Sequence, residues 1–274
     1  METILPDVLR CLQANTAFDL AGLRPDMALR RIQLRMRENN IASPEDYLRK
    51  LVGDRTEQQR LLSSLTIKVS SFFRMPLAWD ILRYEVLPQL LEAAGPRPLR
   101  VWSAGCSTGE EVYTLLLLLN ELMESQHKAL LVHCFATDID SDVLEIARAG
   151  VYRDDERFDN MPLRFLRRGF ERQGESWRVI DALREQVNFS VFNLLSRTER
   201  APSESLFGEF DIVMCRNVMI YYREPYHSII LSKVTQAVRP GGWLLLGEAE
   251  RLPLQENTMF REMHPLAHMY KRKE

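Results

Sequence analysis

Between Leu99 and Glu111 the chain reads Leu-Arg-Val-Trp-Ser-Ala-Gly-Cys-Ser-Thr-Gly-Glu-Glu, and no other stretch constrains the fold as strongly. Val101 and Trp102 suit a pleated, buried strand, Gly105 and Gly109 permit a tight turn with close backbone approach, and Glu110 and Glu111 favour a helix N-terminus. A strand that passes through such a turn into a helix is where an open α/β sheet binds ligands. The spacing Gly-x-x-x-Gly lacks both the dinucleotide fingerprint and the Gly-Lys-Ser/Thr ending of a phosphate loop, so a phosphate ligand is disfavoured. The two carboxylates point instead to a ligand with hydroxyl or cationic groups. An adenosyl sulfonium compound such as S-adenosylmethionine carries both. The competing reading is a helix cap on an ordinary α/β sheet.

The composition sets the frame around that turn. With 46% hydrophobic and 27% charged residues in 274, the chain has material for a sizeable core and either one large domain or two smaller ones. A net charge of −2 offers no general attraction for nucleic acid, but the sign is uneven: residues 1–78 carry twelve Lys/Arg against nine Asp/Glu. An acidic partner is therefore expected to meet the first part. Cys11, Cys106, Cys134 and Cys215 form no Cys-x-x-Cys pair, and reduced, mostly buried thiols are expected. No apolar run reaches the roughly 18 residues of a membrane span, and no leader pattern opens the chain, so a cytoplasmic location is expected.

Helical periodicity runs from Pro6 to about Phe73. Leu29, Ile32 and Met36 form one apolar stripe, with Arg30, Arg31, Arg35 and Arg37 around the other side. That basic face reads either as a solvated helix surface or as a docking face for an acidic protein. Ser43-Pro44 opens the next helix as N-cap and first position. A helix is expected over Asp80–Ala93, followed by the Leu99 strand, a long apolar helix over 110–125, and a strand from Leu130 to Thr137 that runs into Asp138-Ile139-Asp140. An acidic residue at the end of the strand after the glycine turn is placed to hold ribose hydroxyls. Asp138 takes that role, with Asp140 left to cap the helix Asp142–Ala149. Residues 151–186 are Arg-rich and irregular, which predicts a small inserted antiparallel subdomain. Strands at 187–193, 210–215 and 243–247, a helix over 225–238 and a Pro240-Gly241-Gly242 turn complete a mostly parallel sheet, closed by a terminal hairpin. His133 is expected to pack inside its strand.

Five stretches in order then resemble one family. They are Ser70-Ser71-Phe72-Phe73-Arg74, Trp102 to Glu111, Ala136-Thr137-Asp138-Ile139-Asp140, Asn193-Leu194-Leu195, and Cys215-Arg216-Asn217-Val218-Met219-Ile220-Tyr221. Together they are similar to the chemotaxis-receptor glutamate methyltransferases, the CheR family. The resemblance implies a small N-terminal all-helical domain with its linker (1–78), then a Rossmann-like methyltransferase domain (79–274) with the inserted β-subdomain at about 151–186. It implies S-adenosylmethionine as cofactor, giving S-adenosylhomocysteine, and chemoreceptor glutamates of the cytoplasmic helical region as substrate. Ser70, Arg74, Glu111, Asp138, Asn193, Leu194, Arg216 and Asn217 would line the cofactor site, with Arg74 and Tyr221 closest to the transferred methyl. A monomer is expected, neither membrane-inserted nor bound to nucleic acid, with no metal. The sequence departs from the family pattern where Ile67-Lys68-Val69-Ser70 replaces Thr-Asn-x-Thr and where Met75 replaces Glu. Lys68 in the cofactor-facing stretch favours an alternative, a non-catalytic or differently targeted sensory adaptor that keeps the fold.

The chemistry is consistent with that resemblance. A glutamate carboxylate is ionised at neutral pH and is itself a nucleophile, so methyl transfer to it needs positioning rather than a general base. No Ser-His-Asp set is evident, and Arg74 supplies the planar fork that clamps a carboxylate.

Overall fold

The computed structural model describes residues 2–13, 20–65, 70–205, 209–255 and 257–274. The chain divides into two compact units, 1–67 with 219–230, and 68–218 with 231–274.

In the first unit, α1 (Leu5–Gln13), α2 (Pro25–Glu38), α3 (Pro44–Gly53) and α4 (Arg55–Leu65) follow the predicted periodicity. Ser43 caps α3, its Oγ accepting from the Asp46 amide at 3.3 Å, with Pro44 at the first helical position. The buried stripe of α2 is Ala28, Ile32 and Met36, and Leu29 is only half-buried. Glu57 of α4 is 1% exposed and accepts from Arg35 Nε at 3.0 Å and from the Tyr47 hydroxyl at 2.8 Å, so one carboxylate ties α2, α3 and α4 together. Burial works to raise this carboxyl, but the bonds from Arg35, Tyr47 and Asn39 outweigh it and hold it below its ordinary range. Arg35 is thereby turned inward. The residues around Met219–Tyr221 also belong to this unit: the Arg24 amide donates to the Tyr221 carbonyl at 3.0 Å.

The second unit opens with α5 (Pro76–Ile81), a π turn at Leu82–Val86, and α6 (Leu87–Ala94), where the sequence predicts one regular helix. Pro88 explains the difference, because it lacks the N–H that would bond back to Tyr84 and the preceding turn widens. Then follow β1 (Leu99–Ala104), α7 (Glu110–Ser125), β2 (Val132–Asp138), α8 (Ser141–Ala149), β3 (Val151–Arg153), α9 (Leu163–Gly169), β4 (Phe170–Gln173), β5 (Ser176–Val179), α10 (Asp181–Arg184), β6 (Val187–Val191) and β7 (Phe210–Cys215). Helix α11 (Glu224–Ala237) leads into β8 (Val238–Leu246), and β9 (Phe260–His264) and β10 (Met269–Arg272) form the expected hairpin.

The main sheet has the order β6-β2-β1-β7-β8-β10-β9, parallel from β6 to β8 and antiparallel beyond. The chain starts at the centre, moves out through β2 to β6, and returns to β7, so the order reverses between β1 and β7. In open α/β sheets, the carboxyl ends of the strands at such a reversal are where ligands bind. Strands β3, β5 and β4 make the separate antiparallel sheet expected over 151–186.

Two expectations are corrected. Pro240-Gly241-Gly242 is not a turn before a strand but a bulge within β8: Phe210 faces Val238, and the next pair is Ile212 with Trp243. Proline, which cannot donate to a ladder, and Gly241 at φ +72° suit such an interruption. His133 is exposed, because alternation along β2 places it opposite the buried Val132 and Cys134. Trp102 and Trp243 are fully buried, and Trp102 Nε1 donates to Thr137 Oγ1 at 3.0 Å, which satisfies the indole in an apolar setting. No helix among the described residues is long and apolar enough to cross a membrane.

Candidate active site

The turn after β1 is shaped by close packing. Gly105 (φ +78°) and Gly109 (φ +94°) both lie in the left-handed region, and a Cβ on Gly105 would overlap Val218 Cγ2. The Gly105 and Cys106 amides donate to the Thr137 carbonyl at 2.8 and 2.9 Å, pinning the turn to the end of β2. Asp138 then closes it: its Oδ2 accepts from the Ser107 amide at 2.9 Å and its Oδ1 from the Asp140 amide at 3.1 Å. The Ile139 amide also faces this carboxylate, and a lone-pair site that the three amides leave open can accept from a hydroxyl donor. Asp140 caps α8 through the Asp142 amide at 2.9 Å, as the sequence reading assigned. Ser107 Oγ is buried with no partner among the described residues, although the sequence reading did not single it out.

The paired glutamates separate in role. Glu110 is wholly buried and receives the Thr108 hydroxyl at 2.7 Å on both oxygens. Glu111 accepts from Ser103 Oγ at 3.1 Å and from Arg216 Nη1 at 3.1 Å. Burial raises the Glu111 carboxyl and the Arg216 charge offsets this only in part; burial likewise raises Asp138, with the amides of Asp140 and Ser107 opposing.

The segment carrying Arg74 is held from several sides. Phe72 packs against Tyr152, Phe158 and Phe170 with ring centroids 5.1, 4.9 and 5.2 Å away, and its amide donates to the Arg157 carbonyl at 3.0 Å. Phe73 stacks on Phe165 at 5.1 Å and donates its amide to Thr114 Oγ1 at 3.2 Å. Phe73 and Met75 sit at φ +52° and +60°, so the backbone reverses twice around Arg74. The Arg74 carbonyl accepts from Trp79 Nε1 at 2.8 Å and from Arg216 Nη2 at 3.0 Å. Arg216 therefore joins Glu111 to the Arg74 backbone while its guanidinium lies 5.1 Å from the Trp79 ring centroid. Ser70 works to lower the Glu110 carboxyl through a hydrogen bond, though burial dominates there.

Beyond β6, Asn193 Oδ1 accepts from the Leu195 amide at 2.8 Å, and Leu194 is buried. Lys233 of α11, which sequence reasoning missed, reaches under this loop and donates to the carbonyls of Asn193 (3.4 Å), Ser196 (2.6 Å) and Glu199 (2.7 Å). Its position next to apolar Ile230, Leu231 and Val234 was the available signal, since a lone lysine on a buried helix face must find acceptors. Asn217 follows β7 at φ +59°.

The second unit thus brings Ser70, Arg74, Glu111, Asp138, Asn193, Leu194, Arg216 and Asn217 onto segments at or beside the carboxyl ends of its strands. Tyr221 is half-buried in the first unit. Of the basic face there, Arg30, Arg31 and Arg37 line a surface groove of about 450 Å³ with Asp26, Met27, Gln33 and Leu34, whereas Arg35 is committed to Glu57 and Glu38. Lys68 lies outside the described residues.

An unpaired buried hydroxyl, a carboxylate with lone pairs to spare and a turn with no room for side chains fit a ligand that carries hydroxyl groups. Residues 68–267 match the family model "CheR methyltransferase, SAM binding domain", and residues 5–66 match "CheR methyltransferase, all-alpha domain". The cofactor is therefore S-adenosylmethionine. The chain is 35% identical to chemotaxis protein methyltransferase 2 of Pseudomonas aeruginosa, over 86% of this chain and 81% of that one. It is 31% identical to the chemotaxis protein methyltransferase of Vibrio parahaemolyticus, over 90% and 88%. It is also 34% identical to an uncharacterized 104.1 kDa protein of Rhodobacter capsulatus, where 89% of this chain spans only 25% of the relative. With a helical N-terminal part and a mixed sheet of this topology behind those matches, the chain belongs to the CheR methyltransferase family.

Proposed function

We propose that the protein transfers a methyl group from S-adenosylmethionine to glutamate side chains on the cytoplasmic helical region of a chemoreceptor, giving the γ-methyl ester and S-adenosylhomocysteine for sensory adaptation. The observation that supports the reading is the chain of contacts from Glu111 through Arg216 to the Arg74 carbonyl, which ties the backbone of the arginine assigned here to the methyl acceptor to a carboxylate assigned here to the cofactor. When bound, the cofactor supplies an electrophilic methyl on a sulfonium. Asp138 would take the ribose hydroxyls, with Ser70, Glu111, Asn193, Leu194, Arg216 and Asn217 around the remainder. Arg74 would clamp the incoming carboxylate bidentately, and Tyr221 would orient donor or acceptor. In this reading the helical part docks the receptor through Arg30, Arg31 and Arg37, and the methyltransferase part, with Ser70 and Arg74 of the linker before 79, performs the transfer as a cytoplasmic monomer.

The test is tritiated methyl transfer to receptor cytoplasmic fragments, followed by base treatment. Volatile tritiated methanol is expected, since an ester is base-labile and an N-methyl group is not. Arg74→Ala should lower turnover at least about 100-fold, and Arg74→Lys should remain poor because an ammonium lacks the fork. Saturable S-adenosylhomocysteine binding without base-labile label on any fragment would move the methyl acceptor elsewhere. An adaptor that had lost the pocket would show no saturable binding heat.

A further inference from the structure

At the carboxyl ends of β7 and β8 one buried side chain organises two turns. Glu250 is 4% exposed. Its Oε2 accepts from the Asn217 amide at 2.8 Å and the Gly247 amide at 2.7 Å, and its Oε1 accepts from the Val218 amide at 2.8 Å. Its own amide donates to the Gly247 carbonyl at 3.0 Å, so the 247–250 turn closes on itself and presents the carboxylate. Three backbone N–H groups converging on a carboxylate are charge-assisted bonds, roughly twice as strong as neutral ones.

The grip falls on an otherwise unfavourable backbone. Asn217 has φ +59°, which a side-chain-bearing residue keeps only when its surroundings enforce it. On one side of it, Arg216 directs its guanidinium to Glu111 and to the Arg74 carbonyl. On the other, Val218 Cγ2 fills the space that a Cβ on Gly105 would need. A Cβ on Gly247 would stand 2.5 Å from Glu250 Oε2 and overlap the Asn217 amide, so that position must also be bare. Rotation of the Asn217-Val218 peptide would therefore misdirect Arg216 and loosen the Gly105 turn together.

We infer that Glu250 is the positioning residue of the cofactor crevice: it fixes the Arg216-Asn217-Val218 turn, and through it both the Arg216 network and the glycine turn after β1. The inference rests on S-adenosylmethionine as cofactor and is independent of the methyl acceptor.

The experiment compares the full chain with Glu250→Gln and Gly247→Ala. It measures S-adenosylhomocysteine affinity by calorimetry and backbone amide exchange in the ligand-free protein. Glu250→Gln removes the charge and turns an NH2 group toward one of the amides. Affinity is expected to fall at least tenfold, with exchange at Asn217, Val218 and Gly247 accelerated at least tenfold and exchange in β1 and β2 unchanged. Gly247→Ala keeps the carboxylate but displaces the Asn217 amide, and should reproduce the affinity loss; it decides the matter if Glu250→Gln does not fold. Wild-type affinity despite faster exchange at the three amides would overturn the inference. So would exchange accelerated equally in β1 and β2, which would make Glu250 a general stabilising group. Loss of S-adenosylhomocysteine binding by the parent chain would overturn the cofactor assignment and the inference with it, whereas a failure of receptor labelling alone leaves both standing.

Discussion

The two ends of the main sheet treat buried carboxylates in opposite ways. At the amino ends of β1, β7 and β8, Asp211 accepts from Arg97 Nη2 at 2.7 Å, from Arg97 Nη1 at 3.1 Å and from the Arg100 amide at 2.8 Å, and it is also bonded by Arg239. Burial would raise this carboxyl, but these partners outweigh it and hold it below the ordinary aspartate range. At the carboxyl ends, burial dominates and Glu111 and Asp138 are raised. Asp211 at one end is satisfied within the fold by arginines, as Glu250 at the other is by backbone amides. The carboxyl end also holds the raised Glu111 and Asp138, the unpartnered Ser107 hydroxyl and strained backbone at Ser107 and Asn217, the pattern of a surface prepared for a ligand at a cost in stability.

The largest effect expected from breaking this contrast is at the closed end. Asp211→Asn leaves arginines facing a neutral group and should cost about 3–5 kcal/mol of unfolding free energy in denaturant titration. Cofactor-product affinity per folded molecule should stay within about twofold, because the substitution is at the far end of the strands. The pH response follows from the lowered carboxyl. Asp211 contributes stability above its unfolded pKa, and that contribution is lost as pH falls through the lower folded value, so the acid limb of a stability curve should shrink in Asp211→Asn. An acid limb identical to that of the parent would show that Asp211 is not held as described.

At the open end the effect is smaller and lands on binding. Asp138→Ala should weaken S-adenosylhomocysteine at least tenfold, about 1.4 kcal/mol, and lower thermal stability as well, because the Ser107 and Asp140 amides lose their acceptor. In the parent protein, affinity should decline on acidification beginning at a higher pH than an exposed aspartate titrates, since protonation of the raised carboxyl removes an acceptor. Calorimetry across pH in parent and variant checks both; a variant with the same pH profile as the parent would remove Asp138 from the ribose role. The smallest effect belongs to the exposed arginines of the first unit. Reversing Arg30 and Arg37 should raise KM for receptor a few-fold and flatten its salt dependence, leaving cofactor affinity alone. Arg35→Ala should lower stability instead, because it strips Glu57 of its cation.

What was legible in the sequence is what depends on neighbours along the chain. The glycine turn, the cap that Asp140 places on α8 and the cap at Ser43 all follow from local spacing. What was not legible depends on partners far apart. Arg35 reads as one more surface arginine until α4 brings Glu57 against it. Glu250 reads as an ordinary surface charge because its partners are backbone amides, which leave no trace in residue identity, and only the apolar neighbours of Lys233 hint that it turns inward. The bulge at Pro240–Gly242 has the composition of a turn, and only the pairing of β7 with β8 on both sides of it reveals a strand.

The burial of the thiols gives the molecule built-in reporters. Cys134 and Cys215 lie inside β2 and β7, Cys106 lies in the turn after β1, and only Cys11 is partly accessible. Burial raises all three enclosed thiols, which suppresses the reactive thiolate as well as access to it. A thiol reagent should therefore consume Cys11 first and then wait on opening of the fold. Cys134 and Cys215 would time global opening, while Cys106 would time the turn alone, so alkylation of Cys106 slowed by S-adenosylhomocysteine would convert ligand occupancy into a chemical clock read by mass.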